Sequence, residues 1–502
     1  MDMTATAERS GPGTAAAEEV DVLVVGAGIS GIGAAYHLTK QLPGTRFVVL
    51  EAQEGFGGTW RTHRFPGIRS DSDLHTFGYS FKPWTGPPIA TAAEIKAYMG
   101  GIIAENGLER HIRYGHEVVA ADWSDADARW RVTVRRRDTG ESLVFGARFL
   151  WMCQGYYRHA EGHTPDWPGM ADFRGRIVHP QTWPEDLDTT GQRVVVIGSG
   201  ATAATLVPAL AGRCAHVTML QRSPTFFRTG RNAIELAETL RQLQVDEAWI
   251  HEIVRRKILF EQDAFTRQTY EQPEKAKADL IGAIRAVMGP DYDVDTHFTP
   301  RYRPWRQRIA FVPDADLFQA IRRGEASVVT DEIDRFTPAG IRLKSGAEIE
   351  ADLAITATGF TLSVMGDIPF TRNGAPIDFA DTVTWRGMMF TGVPNLVWVF
   401  GYFRASWTLR TDLVADFVCR LLRHMAARGA EKIEPVLPAG GEGPEGGPWP
   451  DPEDFNPGHL LRDLHRLPKT GPGEAWRHSQ DYWRDKDVFP AIDLDDEAFL
   501  YG

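Results

Sequence analysis

The sequence predicts an α/β protein built from two copies of one strand–glycine turn–helix–strand unit, with a helical insertion in the second copy. Three observations predict this fold. Two apolar runs each end in a G-x-G turn, each turn precedes a helical stretch, and residues 232–290 combine helical periodicity with mixed charge. The chain has 502 residues, enough for roughly three folding units.

The first unit begins with an apolar strand at 21–26. A G-x-G-x-x-G turn (26–31), a predicted helix (32–41) and a second strand (47–50) follow it. Glycines in such a turn let the backbone approach a pyrophosphate, which the N–H groups of the helix N-terminus then bind. Glu51 ends the second strand, where its carboxylate would accept a hydrogen bond from a ribose 2′-hydroxyl.

The second unit repeats this order, with a strand at 193–198, a Gly-Ser-Gly turn, a helix at 202–211 and a strand at 216–220. Here Arg222 follows the second strand, so the charge is opposite to that of Glu51. A guanidinium binds a 2′-phosphate, whereas a carboxylate repels one. The two units are therefore predicted to be Rossmann-like domains for FAD and NADP(H), with Arg222 and Ser223 on the 2′-phosphate.

The predicted FAD-binding domain is discontinuous and comprises residues 20–160 and 385–502. The predicted NADP-binding domain spans 161–384, and its last strand (351–360) returns the chain to the first domain. Residues 1–19 lack the basic start and apolar run of a secretory signal and are predicted to be a disordered tail. Residues 437–457, rich in Gly, Pro and Glu, are expected to form a surface loop or to be partly disordered.

The composition excludes several classes of protein. A net charge of -12 argues against nucleic-acid binding. Three scattered cysteines indicate a reducing compartment, so we expect a cytoplasmic protein. The uncharged stretches 22–39 and 194–212 are both interrupted by G-x-G, so no integral membrane segment is expected. No histidine or cysteine cluster has metal-site spacing, and the sequence leaves the oligomeric state open.

A fingerprint motif then points to a family. Residues Phe173, Gly175, His179, Trp183 and Pro184 fit the pattern F-x-G-x-x-x-H-x-x-x-W-P. This resembles the fingerprint of type I Baeyer–Villiger monooxygenases. Within that family the chain is most similar to the ethionamide-activating subgroup, on the evidence of segments 66–73, 298–302, 312–317 and 405–409.

The resemblance implies that NADPH reduces FAD and that molecular oxygen adds at flavin C4a to form a peroxide. This species would insert oxygen into ketones, giving esters or lactones, and would oxidise sulfides to sulfoxides. Arg308 matches the family's active-site arginine, and Asp71 matches the carboxylate that pairs with it. His179 is expected to tie the interdomain linker together and to assist domain movement, in preference to acid–base work.

The residues expected to contact FAD are Gly26, Gly28, Ser30, Gly31, Glu51, Gly58, Thr59, Trp60, Arg69, Asp71 and Val118. The residues expected to contact NADP are Gly198, Ser199, Gly200, Ala201, Thr202, Arg222 and Ser223. Gln307 and Arg404 depart from the residues usual in the family. The strength of the preference for NADPH over NADH and the substrate range therefore cannot be copied from the family. Two other hypotheses remain open: an N- or S-oxygenating monooxygenase with little ketone activity, and a flavin redox sensor or reductase.

Overall fold

Two β-sheets organise the chain in the computed structural model, which describes residues 17–438 and 446–502. The strands are β1 Glu18–Val25, β2 Phe47–Leu50, β3 Ile112–Arg113, β4 His116–Ser124, β5 Arg129–Arg136, β6 Ser142–Met152, β7 Tyr157–Gly162, β8 Arg176–Val178, β9 Arg193–Ile197, β10 His216–Gln221, β11 Phe227–Gly230, β12 Ala310–Pro313, β13 Ala326–Thr330, β14 Ile333–Thr337, β15 Gly340–Leu343, β16 Glu348–Glu350, β17 Leu353–Thr356, β18 Phe360–Leu362, β19 Phe370–Arg372, β20 Ala375–Pro376, β21 Thr384–Trp385, β22 Met389–Phe390, β23 Leu396–Trp398, β24 Ile433–Pro435 and β25 Phe499–Tyr501. The helices are α1 Ile29–Gln41, α2 Thr59–Thr62, α3 Leu74–Phe77, α4 Ala92–Glu105, α5 Ala201–Leu210, α6 Glu235–Gln242, α7 Glu247–Glu271, α8 Pro273–Met288, α9 Val294–Phe298, α10 Asp316–Arg322, α11 Trp407–Arg428, α12 Gly458–Asp463 and α13 Tyr482–Val488.

The first sheet has the order β20–β19–β4–β5–β6–β1–β2–β3, and β23 also pairs with β6. Strand β1 is parallel to both β2 and β6, so its apolar residues are buried on both faces, as the uninterrupted run Val22–Val25 predicts. One face of the sheet packs against α1, α4 and α11. Helix α1 begins at Ile29, three residues before the predicted start, because Gly28 is its N-cap.

The second sheet is parallel throughout, in the order β13–β10–β9–β17–β8. Strand β9 coincides with the predicted strand from 193, and α5 begins one residue earlier than expected. The predicted helical insertion is present as α6, α7 and α8, and Pro273 occupies the first turn of α8. The α/β fold with two dinucleotide-binding units is therefore confirmed.

Two boundaries differ from the predictions. Strand β1 starts at Glu18, inside the predicted 1–19 tail, because it pairs with β6 from that residue and Glu18 forms an ion pair with Arg113. Residues 1–16 lie outside the described part of the chain. Strand β19 pairs with β4, so 370–376 joins the first sheet although the NADP-binding domain was expected to extend to 384. Burial of Phe370 against Trp130 accounts for this pairing.

The segment 437–457 also differs from the expected surface loop, in the residues that are described. Trp449 is only 2% exposed and packs on Phe400, with 4.7 Å between ring centroids. Phe455 stacks on Phe403, also at 4.7 Å. Burial of two aromatic rings outweighs the loop-forming composition around them. Residues 439–445, in the same prediction, lie outside the described residues.

Within the described ranges, no helix combines the length and the apolar character that crossing a membrane requires.

Candidate active site

The first glycine turn is shaped to receive an anion. Gly26 has φ +100°, and a Cβ there would fall 2.8 Å from the carbonyl oxygen of Cys153. A Cβ on Gly31 would fall 1.8 Å from the Gly26 carbonyl oxygen. Helix α1 has no side-chain N-cap hydrogen bond and no acidic residue in its first turn. Its first N–H groups are therefore available to a phosphate.

Glu51 lies beside this turn, at the end of β2. Its Oε2 accepts a hydrogen bond from the N–H of Ala27 (2.8 Å), and its Oε1 accepts one from the N–H of Gln53 (2.9 Å). Burial raises the pKa of Glu51, and these backbone N–H groups oppose that shift. A carboxylate has about four lone-pair sites, so it can also accept from a ribose hydroxyl.

A second segment closes over the same turn. The N–H of Gly57 donates to the Ala27 carbonyl oxygen (3.0 Å), and a Cβ on Gly58 would fall 3.2 Å from the Cα of Gly28. Thr59 and Trp60 begin the short helix α2 directly afterwards. The backbone passes close enough here to contact a dinucleotide held by α1.

Two further predicted residues adjoin this region. The hydroxyl of Ser30 accepts a hydrogen bond from the indole N–H of Trp407 (2.9 Å). Val118 lies on β4, the strand whose first residue, His116, donates its N–H to the Glu51 carbonyl oxygen (2.8 Å). The structure therefore gathers most of the predicted FAD residues at one end of the first sheet.

Arg69, like Asp71, contacts the second unit. Its guanidinium donates two hydrogen bonds to Asp316 at the start of α10, at 2.5 and 3.1 Å. It lines a cavity of about 280 Å³ together with Thr205 and Pro208 of α5. The side chain predicted to contact FAD therefore pairs with a residue of the second unit.

The second glycine turn has the same features. Gly198 has φ +128°, and a Cβ there would fall 2.3 Å from the Ala357 carbonyl oxygen. A Cβ on Gly200 would meet no atom within 4 Å, so the space above the turn is open. Ala201 and Thr202 begin α5, which has no side-chain N-cap hydrogen bond. This N-terminus can bind a second phosphate group.

The edge of the second turn carries the predicted 2′-phosphate residues. Arg222 and Ser223 follow β10 and are exposed. The Ser199 hydroxyl donates to the Ser223 carbonyl oxygen (3.2 Å), which fixes this loop against the turn. Among the described residues, the Arg222 guanidinium has no hydrogen-bond or ion-pair partner, so it is free to meet an anion.

Arg308 and Asp71 form a two-point ion pair between the two units. Arg308 Nε donates to Asp71 Oδ2 (2.7 Å), and a terminal guanidinium nitrogen donates to Oδ1 (2.5 Å). Burial alone would raise the pKa of Asp71, but the charge and hydrogen bonds of Arg308 lower it. The same pairing raises the pKa of Arg308 against the effect of burial. The arginine stays charged, and 43% of its side chain is exposed and accessible to a ligand.

Sequence reasoning missed two tyrosines, Tyr156 and Tyr157, beside this pair. Tyr156 stacks on Trp407 (5.1 Å between centroids, 6° between planes), and its hydroxyl hydrogen-bonds that of Tyr157. Burial raises the pKa of Tyr156, although the charge of Arg308 opposes the shift. The available signal was position: these tyrosines follow β6, which is parallel to β1, and ligands bind where parallel strands end.

His179 of the fingerprint lies at the junction between the two units, against Gly162 and Gly359. His179 Nδ1 accepts the N–H of Gln181 (3.1 Å), so Nε2 carries the proton and donates to the Gly359 carbonyl oxygen (3.1 Å). Burial lowers the pKa of His179, which keeps the ring neutral. The remaining fingerprint residues lie within the second unit. Phe173 is buried, Gly175 lies against Asp352, Trp183 packs on the apolar core of that unit, and Pro184 begins a turn.

Each of the two large sheets has a glycine turn that leads into a helix without a side-chain N-cap. Together with the ion pair between Arg308 and Asp71, these turns define an oxidoreductase with two dinucleotide-binding domains. Family models agree: "NAD(P)-binding Rossmann-like domain" matches residues 24–85, and "Flavin-binding monooxygenase-like" matches residues 79–231.

Similar proteins narrow this class. FAD-containing monooxygenase EthA of Mycobacterium tuberculosis is 44% identical over 487 residues, which cover 97% of this chain and 98% of its own. Probable FAD-binding monooxygenase AlmA of an Acinetobacter species is 40% identical, with 93% of each chain covered. The chain belongs to the FAD-containing monooxygenases, which confirms the family predicted from the fingerprint and subgroup segments.

Solved structures share the fold. A steroid monooxygenase bound to NADP aligns with TM-score 0.73 at 23% identity, covering 96% of this chain and 99% of its own. The open crystal structure of cyclohexanone monooxygenase aligns with TM-score 0.72 at 21% identity, covering 97% and 100%.

Proposed function

We propose that this protein is an FAD- and NADPH-dependent monooxygenase that inserts one oxygen atom into ketones, giving esters or lactones, and oxidises sulfides to sulfoxides. The observation that carries the proposal is the ion pair between Arg308 and Asp71. It puts a permanent cation, accessible to ligand, between the two nucleotide-binding units.

The two glycine turns fit different dinucleotides. Glu51 beside the first turn suits an unphosphorylated ribose, as in FAD. Arg222 beside the second suits the 2′-phosphate of NADPH. FAD, when bound and reduced by NADPH, supplies the activation of molecular oxygen.

Arg308 stabilises the negative charge that develops on oxygen during insertion. A guanidinium does not give up its proton near neutral pH, so its contribution is charge and hydrogen bonding. Asp71 holds the guanidinium plane by two contacts, which orients it before the substrate arrives. Tyr156, Trp407 and Phe403 form an apolar wall that excludes water and strengthens this electrostatic effect.

A direct experiment measures NADPH consumption and products with phenylacetone, with methyl phenyl sulfide and with neither. We expect benzyl acetate from the ketone and sulfoxide from the sulfide. Sulfoxide without ester would support the N- or S-oxygenating alternative. Hydrogen peroxide as the only product would overturn both oxygenase functions and favour a reductase or sensor.

A further inference from the structure

A cavity of about 760 Å³ lies beside the proposed active site, between α7, residues 447–455 and residues 470–483. Arg404 and Ala405 complete its wall. Arg404 directly follows Phe403, whose carbonyl oxygen accepts a hydrogen bond from Arg308 (3.4 Å). Arg404, at one end of the cavity, is therefore adjacent in sequence to Phe403, which Arg308 contacts.

Arg404 is an unusual wall residue because its side chain is only 7% exposed. One terminal nitrogen donates to Asp454 Oδ2 (2.6 Å) and to the Asp454 carbonyl oxygen (3.2 Å). Its Nε is buried and has no hydrogen-bond partner among the described residues. A buried, charged donor without an acceptor is costly, so an acceptor supplied by a ligand would stabilise it.

The charges around Arg404 do not balance. The single carboxylate of Asp454 also accepts hydrogen bonds from Arg303 (3.0 Å) and from the hydroxyl of Tyr270 (2.7 Å). Two guanidinium groups therefore share one carboxylate, which is 38% exposed. The neighbouring pair Arg306–Glu453 is neutral as a unit. Asp451 lies in the same turn, where its exposed side chain accepts the N–H of Glu453 (2.9 Å). The less exposed part of this end therefore holds the two guanidinium groups of Arg404 and Arg303 around the one carboxylate of Asp454.

Two other acidic residues of the same cavity, Asp263 and Asp481, lie away from Arg404. Asp263 precedes Tyr270 by seven residues on α7, a separation of roughly 10 Å along the helix. Asp263 pairs with Arg267, and Asp481, whose charge acts on Asp263, caps α13. Glu271 and Asp451 are exposed. The buried guanidinium group of Arg404 and the pair Asp263–Asp481 therefore lie in different parts of the cavity wall.

We infer that Arg404, with Arg303, forms a carboxylate-binding subsite and that the substrates of this protein are oxo acids, whose ketone carbonyl reaches Arg308 while the carboxylate pairs with Arg404. This inference rests on the proposed function and names its substrate class. The carboxylate would supply the acceptor that the buried guanidinium group of Arg404 lacks. Without substrate, Arg404 pairs with Asp454. The substrate carboxylate would bind beside Asp454 or take its place on Arg404.

The test compares levulinate and its longer homologues up to oxodecanoate, each with its methyl ester. At the chain length that spans the cavity, kcat/KM for the acid should exceed that for the ester by roughly tenfold to a hundredfold, as for one charge-assisted contact. Arg404→Asn should abolish this preference, and Arg404→Lys should retain part of it. Arg477→Asn removes an exposed cation from the same cavity and should keep it.

Asp454→Asn provides a second, independent variant. Removing the internal competitor should increase the preference for the acid, through a lower KM for the acid and little change for the ester. Esters preferred at every chain length, or a preference unchanged in Arg404→Asn, would overturn the subsite. Phenylacetone, which has no carboxylate, separates the two proposals: oxygenation of phenylacetone without acid preference refutes the subsite alone.

Discussion

The imidazole ring of His179 lies so close to Gly162 that a Cβ on residue 162 would fall 1.9 Å from the ring Cε1. Gly162 ends β7, and His179 also donates to the carbonyl oxygen of Gly359, just before β18. Strands β7 and β18 pair with each other, and the chain passes between the two units at both. The neutral ring of His179 therefore packs against one of the two segments that connect the units and forms a hydrogen bond with the other.

Gly162→Ala should displace this ring. The added methyl group would force His179 away from Gly359, and overpacking of this kind costs about 1–3 kcal/mol of unfolding free energy. We expect lower kcat with flavin content unchanged, measured by denaturant unfolding and steady-state kinetics. Gly282→Ala on α8 is the matched control because no atom lies near its Cβ position. Wild-type kinetics in Gly162→Ala would argue against the linking role of His179.

Arg308→Ala should separate flavin reduction from oxygen insertion. The flavin should still be reduced by NADPH, while ester formation falls by about 10²–10³-fold, the usual effect of removing one charge-stabilising donor. Stopped-flow absorbance and product analysis measure the two steps. Arg308→Lys keeps the charge but loses the two-point contact with Asp71 and should be intermediate. Ester yields equal to wild type would reject the proposed role.

Arg222→Ala should weaken NADPH selectively. Its guanidinium is expected to meet the 2′-phosphate, which NADH lacks, so KM for NADPH should rise roughly tenfold to a hundredfold and KM for NADH should hardly change. Arg213→Ala removes another exposed charge from the same unit and should affect neither. Equal increases for both nucleotides would show that Arg222 does not recognise the phosphate.

Stability should decrease at alkaline pH through His37. This residue on α1 lies 3.5 Å from Asp412 and 3.3 Å from Asp416 on α11. Burial alone would lower the pKa of His37, but the two carboxylates raise it from 6.5 to about 9. Protonation is therefore favoured in the folded state, and the stabilisation is complete below pH 6.5 and lost as the pH rises through about 9.

The variant His37→Gln should remove that pH dependence. Urea unfolding between pH 6 and 10 should show a falling free energy for the wild type and a flatter curve for the variant. His465→Gln, which replaces an exposed histidine, should follow the wild type. Parallel curves for His37→Gln and wild type would exclude this ion-pair cluster as the cause.

Local pattern predicted the framework of the fold because apolar runs bounded by glycine leave few alternatives. Strand β2 and strand β9 start at the predicted residues, and Glu51 lies beside the first turn as expected. Contacts between residues far apart in the sequence could not be predicted from local pattern. Arg69 pairs with Asp316, 247 residues away, and no local spacing encodes such a partner.

Tyr156 and His459 were missed for the same reason. Tyr156, Trp407 and His459 come from separate segments that meet only after the chain has crossed between the sheets. Composition misled at 446–457, where glycines and prolines outnumber the two aromatic rings that become buried. Arg308 was identified through family resemblance, because by itself it is one arginine in a basic run.

The pairing of β19 with β4 constrains how this enzyme can be recombined with its relatives. The first sheet draws strands from both sides of the second unit in the sequence, so a single-junction chimera leaves β4 without its native neighbour. Replacing the NADP-binding unit with that of a relative requires two junctions, one in β7 and one in β18. Both strands must be exchanged together, so that the hydrogen bonds between them are kept.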